Sequence, residues 1–196
     1  MNKFKIAILS ATAAAFLAPA FASAEGMYVS IGGGYDVVGK KKFELEGDEI
    51  KRKNGTSLNL ELGTSLGDFR IGGEFSHMFK EEYTFQDDKL KLKNTSVFLN
   101  GYYDINGLSD MFVPYVTAGF GPSHAWFEVE DEDGKKKKYH GVTFAYKVGL
   151  GSRVNVSESV TLDLSYRYAE LGKFNKADVV KKRNFHTFNG GVVFKF

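Results

Sequence analysis

The sequence holds no cysteine. Disulfides and thiolate metal sites are therefore excluded, and the fold must be held by noncovalent forces. Proline is almost as scarce, at three in 196 residues. Pro19 lies in the N-terminal apolar run, which leaves Pro114 and Pro122 for the rest of the chain. No excess charge of either sign exists beyond the start. The formal net charge of +2 is contributed by Lys3 and Lys5, so no global basic surface argues for nucleic acid as a partner. After Glu25 no run of about 18 apolar residues occurs, so no further spanning helix is expected. The acidic pairs and triplets, Asp87-Asp88 and Asp131-Glu132-Asp133, lack the twelve-residue spacing of a calcium loop. They read as solvated acid, and no metal or cofactor is expected.

The N-terminus has a basic start, an apolar run from Ile6 to Phe21, and the small residues Ala22-Ser23-Ala24. That order predicts a secretory signal peptide over 1–24 and a single folded domain over 25–196.

What remains is rich in glycine and alternates. Phe188, Gly190, Val192, Phe194 and Phe196 share one parity; Thr187, Asn189, Gly191 and Lys195 share the other. A strand with one apolar and one polar face is the reading. Seven more such stretches precede it. They run from Met27 to Tyr35, Ser57 to Leu66, Phe69 to Phe79, Thr95 to Asp104, Phe112 to about Trp126, Val142 to Val154, and Val160 to Ala169. Pro114 is tolerable near a strand start and poor in a central ladder. Charged segments (37–55, 80–93, 128–139, 170–184) alternate with short turns at Gly67-Asp68, Asn106–Ser109 and Asn155–Ser159. The rhythm predicts an all-β fold: an eight-stranded antiparallel up-and-down transmembrane barrel, with four long extracellular loops and three short periplasmic turns.

Charge tests the facing. Glu61, Arg70, Glu74, Lys147, Arg153, Asp163, Arg167 and Lys195 all fall on the inner parity. Arg70 and Glu74 share a parity, as do Lys147 and Arg153, and Asp163 and Arg167. A lipocalin-like barrel in water would want the reverse, an apolar interior. Eight strands leave an interior just wide enough for side chains. The eight inner charges are therefore expected to form a salt-bridge plug and not a wide pore.

The signal peptide, Phe69-Arg70-Ile71-Gly72-Gly73-Glu74-Phe75, Pro114–Gly119, Leu162–Tyr168 and the final Val193-Phe194-Lys195-Phe196 resemble the OmpA-like and opacity-type eight-stranded outer-membrane proteins. The resemblance is closest to small surface adhesins and antigens of intracellular bacteria. It implies a Gram-negative outer membrane, reached through the periplasm, and surrounding lipid. It also implies that terminal Phe196 is a signal for the outer-membrane assembly machinery.

The candidate contact residues are the loop cations: Lys40, Lys41, Lys42, Lys51, Arg52, Lys53, Lys135, Lys136, Lys137, Lys138, Lys181, Lys182 and Arg183. Clustered lysine and arginine can bind sulfated glycans or acidic patches on host surface or serum proteins. They can equally be no more than a solvated surface. The segment 128–139 also reads as a hairpin with Asp133-Gly134 at its tip, acid on one arm facing base on the other. Histidines 77, 124, 140 and 186 raise the question of a barrel enzyme. Ser76 and His77 point to opposite faces of a strand and cannot form a dyad, and His140 has no evident catalytic neighbour. The expectation is a monomeric, non-enzymatic adhesin or surface antigen. The alternative is a structural protein or narrow pore.

Overall fold

The computed structural model of the chain describes residues 26–38, 51–52, 54–85, 88–109, 111–130, 136–172 and 183–196. Eight long strands run through them: β1 (Met27–Val38), β2 (Gly55–Leu66), β3 (Phe69–Phe85), β4 (Asp88–Asp104), β5 (Phe112–Glu130), β6 (Lys136–Asn155), β7 (Val160–Leu171) and β8 (Arg183–Lys195). Each pairs antiparallel with its neighbour in the chain. β8 closes against β1, with Val192 opposite Ile31 and Phe188 opposite Tyr35. The sheet closes into a ring, the only way a sheet can satisfy its backbone inside lipid.

The period of two sorts the side chains. Val148, Leu150, Leu164, Phe75, Phe120 and Phe144 are among the large apolar groups on the exposed outer face. Glu61, Arg70, Glu74, Lys147, Arg153 and Asp163 are buried on the inner one. Water would penalise that outer face, because apolar patches on soluble proteins rarely exceed a few hundred Å². Lipid does not.

At one end the connections are tight. Only Gly67 and Asp68 separate β2 from β3, and Gly67 has φ +66°, a value that hairpin turns demand and glycine supplies freely. Asn106 donates its side-chain amide to Asp68 at 2.8 Å, tying two adjacent turns together. Pro122 sits opposite Phe144 within β5. On its other side the β4–β5 pairing skips from Ser96↔Ser123 to Leu99↔Phe120, as expected where a residue has no N–H to give.

At the other end four strands outgrow the expected boundaries. β3 and β4 have 17 residues each, β5 has 19 and β6 has 20, against 12 or 13 for β1, β2, β7 and β8. Most of the charged segment 80–93 is therefore paired strand and not loop, with Glu82 opposite Lys91. A two-residue strand, Lys51–Arg52, adds to this wall opposite Thr84 and Tyr83.

Candidate functional site

The lumen is built in layers. Near the tight turns Asp104, the last residue of β4, takes two arginines. Arg70 Nε lies 3.0 Å from Asp104 Oδ2 and Arg70 Nη2 lies 3.0 Å from Oδ1, a forked pairing that suits guanidinium and carboxylate. Arg153 Nη2 bonds the same carboxylate. The Arg70 guanidinium also sits over the ring of Tyr102 at 4.2 Å and that of Tyr115 at 5.0 Å. Tyr115 donates its hydroxyl to Asp163 at 2.9 Å. Gly151 leaves room for that ring: a Cβ there would come within 2.6 Å of the Tyr115 hydroxyl.

One layer further, Glu74 is the hub. It receives Lys147 Nζ at 2.6 Å and Arg167 Nη1 at 2.8 Å. Glu61 is held by neutral donors, the Tyr28 hydroxyl at 2.7 Å, the Tyr102 hydroxyl and the Asn100 amide. Above lies an apolar layer of Met78, Phe98, Ala145, Leu171 and Phe185, with the Lys147 ammonium 4.3 Å from the Phe98 ring centre. Two small cavities of about 30 and 60 Å³ lie among the described lumen residues, room for a few waters each. The described interior is filled, as a lumen of this strand number should be.

Several of these partners carry no sequence signal of their role. Asp104 stands at a strand end beside a turn, and Tyr28, Tyr102 and Tyr115 look like any strand aromatic. Lys195, also on the inner parity, donates to Asn155 at 2.8 Å.

The outer end carries charge on a ladder. β5 and β6 stay in register to Glu130↔Lys136, with Glu128↔Lys138 and Val129↔Lys137 before it. Acid on one arm thus stands at the register position of base on the other. Lys136, Lys137 and Lys138 belong to β6, Lys51 and Arg52 to the short added strand, and Arg183 to the start of β8. Lys40, Lys41, Lys42, Lys53, Lys135, Lys181 and Lys182 lie outside the described residues, as do the expected signal peptide and the expected tip at Asp133-Gly134.

Four histidines line the outer half of the wall. His77 Nδ1 lies 2.8 Å from Thr95 Oγ1, and His186 Nδ1 lies 2.6 Å from the Tyr166 hydroxyl. His124 and His140 are neighbours across β5 and β6, their ring centres 6.2 Å apart.

An apolar exterior, a charged and filled interior and a closed eight-strand ring define an integral membrane barrel. The chain belongs to the outer membrane protein β-barrel domain family, whose model matches residues 7–196. It is 28% identical over 85% of its length to a Rickettsia conorii protein provisionally named an adhesin, covering 74% of that protein. The fold is shared with neisserial surface protein A, at a TM-score of 0.62 and 22% identity over 88% of this chain and 98% of that one. It is also shared with Ail, the attachment invasion locus protein of Yersinia pestis, solved with the heparin analogue sucrose octasulfate. There the TM-score is 0.57 and the identity 19%, over 88% of this chain and 99% of that one. The protein resides in the outer membrane of a Gram-negative cell.

Proposed function

We propose that the protein is a non-enzymatic surface adhesin that grips anionic partners, sulfated glycans first, through the cations at its outer end. The observation that carries this is the β5–β6 ladder. It continues past the lipid-facing band and sets Lys136, Lys137 and Lys138 on a hydrogen-bonded strand. A cation on a ladder needs less ordering to bind than one on a free chain, so more of its interaction energy appears as affinity. The provisional adhesin name of the Rickettsia relative and the sulfated ligand of the Ail structure support the same reading. The filled lumen speaks against a pore as the main task. Acidic patches on host surface or serum proteins are a second class of partner for the same cations. The barrel works as a monomer in this reading.

Replacing Lys135 to Lys138 together with Lys40 to Lys42 by glutamine should lower affinity for a heparin-type glycan by about tenfold or more. The remaining binding should lose much of its sensitivity to salt. The measurement is glycan-array or calorimetric binding of the folded barrel. Unchanged binding would overturn the basic-loop version, and no binding by the unaltered protein to glycans, host cells or serum proteins would overturn adhesion itself.

The chain terminus serves a different step. Phe196 donates its backbone N–H to Met27 at 2.9 Å, at the seam that closes the ring. We read Phe196 as the mark by which the outer-membrane assembly machinery takes up the chain after removal of residues 1–24. Deleting it should cut the folded fraction in the outer membrane severalfold, read as heat-modifiable migration on gels. Deleting residues 131–135 should leave that fraction intact.

A further inference from the structure

Three of the four histidines, with one lysine and one threonine, form a single outward patch at the foot of the tall wall. Register lays it out in two rows. His77 on β3 is opposite Thr95 on β4, and Thr95 is opposite His124 on β5. In the next row out, Lys93 is opposite Trp126, and Trp126 is opposite His140 on β6. Side chains meet within and between the rows. His77 reaches Thr95 Oγ1 at 2.8 Å and packs edge-on against Phe79 at 5.2 Å. The His124 ring centre is 3.9 Å from that of Trp126 and 6.2 Å from that of His140. Lys93, Trp126 and His140 are exposed, and His77 and His124 are half-buried. Below the patch begin the exposed apolar groups of the lipid-facing band, Val97, Phe120 and Phe144.

Among the described side chains no carboxylate stands in register with the basic groups of the patch. The β2 neighbour of His77 is Leu58, and the β6 neighbour of His124 is Val142. Neither row contains a carboxylate among the described side chains. On β7 the carboxylate nearest the rim is Glu170, in register with Tyr146 and 3.4 Å from the Tyr168 hydroxyl. The row beyond the patch alternates in sign, with Glu82, Lys91, Glu128 and Lys138 following one another across β3 to β6.

A basic, hydroxyl-bearing patch beside an interfacial tryptophan, at the upper border of a lipid-facing band, matches the depth and the charge of lipid phosphates. Imidazole N–H, ammonium and hydroxyl groups all donate to phosphate oxygens, and the charged donors do so most strongly. Imidazole gains its charge as pH falls through the region below neutrality. We propose that His77, Lys93, Thr95, His124 and His140 form a site for the phosphate groups of an outer-leaflet lipid, held more tightly in acid than at neutral pH. This site lies on the membrane-facing wall, below the charged ladder, and does not depend on the adhesion reading.

Trp126 reports on it directly, because it is the only tryptophan in the chain and its ring packs, tilted, against that of His124. The folded protein in zwitterionic nanodiscs is titrated with bisphosphorylated lipid A, with its dephosphorylated form, with an anionic lipid whose charge is a carboxylate, and with inorganic phosphate. The expected result is a saturable change in Trp126 emission with phosphorylated lipid A, at an affinity about tenfold higher near pH 5.5 than near pH 7.5. The dephosphorylated form should give no response. The His77→Gln/Lys93→Gln/His140→Gln variant keeps the Trp126–His124 reporter and should lose the pH-dependent gain. Single Lys93→Gln and His140→Gln variants, each checked for heat-modifiable migration, carry the test if the triple variant folds poorly. Equal responses to the phosphate and carboxylate lipids would mean a diffuse field acts and would overturn the site. So would unchanged affinity in the variants or the absence of any pH dependence. Saturation by inorganic phosphate at the same concentration as lipid A would overturn the assignment to a lipid.

Discussion

Replacing Glu74 by leucine should destabilise the folded barrel by about 3–5 kcal/mol. Glu74 is the shared partner of Lys147 and Arg167, at 2.6 and 2.8 Å, and both Glu74 and Lys147 are buried. Removing the acid leaves two cations facing each other in a narrow interior. Their mutual repulsion and their lost hydration then act together. Equilibrium unfolding in urea, with the protein in lipid vesicles, reads the loss as a lower midpoint. Adding Lys147→Met to the variant should recover a large part of it, because one orphaned charge disappears with its desolvation cost. If Glu74→Leu leaves the midpoint unmoved, the hub contributes nothing to stability and the lumen is held by packing alone.

Asp104→Asn should produce the second large loss, about 3 kcal/mol, although it changes the shape of the side chain very little. One carboxylate balances both Arg70 and Arg153 there. The amide keeps the volume and loses the charge, so the outcome isolates electrostatics from packing. Asp163→Asn is the contrast. The hydrogen bond found at Asp163 comes from the neutral Tyr115 hydroxyl, and Arg167, Arg70 and Arg153 act on its charge without an ion pair among the described contacts, so its neutralisation should cost less than that of Asp104, roughly 1–2 kcal/mol. Equal losses at the two positions would show that a direct ion pair adds nothing beyond the field of the lumen arginines. The same unfolding measurement decides between these outcomes.

How much of this was legible in the sequence depends on what lies outside each strand. Where lipid does, as from Val160 to Ala169, one face must be apolar, and alternation betrays both the strand and its facing. The ring, the eight strands and the inner parity of Arg70, Glu74 and Lys147 follow from that alone. Above the lipid both faces of a strand meet water, and the pattern vanishes although the backbone still pairs. Residues 80–93 therefore read as a charged loop, while the structure puts most of them in β3 and β4. The hairpin over 128–139 was readable because its charges change sign between the arms, which is a cross-strand signal that survives without apolar residues. The lumen partners were hidden for another reason. Which acid meets which base depends on strand stagger, and stagger leaves no mark within any one strand. Asp104 serves residues on β3 and β6, neither of which is near it in sequence. The apolar layer of Met78, Phe98, Leu171 and Phe185 was missed because its members lie on the otherwise polar parity, each next to the upper end of its lipid-facing run.

The unequal strand lengths give the described wall a long-stranded side and a short-stranded side. β6 exceeds β7 by eight residues, which at the rise of a strand is about 26 Å along its length. In a membrane whose outer surface carries carbohydrate chains, the paired wall of β3 to β6 reaches further into that layer than the described strands of β1, β2, β7 and β8 do. A large partner that reaches into that layer would then find paired, ordered backbone on one side of the barrel. The orientation of the barrel about its own axis, which is immaterial for a protein that merely spans the bilayer, would decide which neighbours in the membrane crowd that approach and which leave it open.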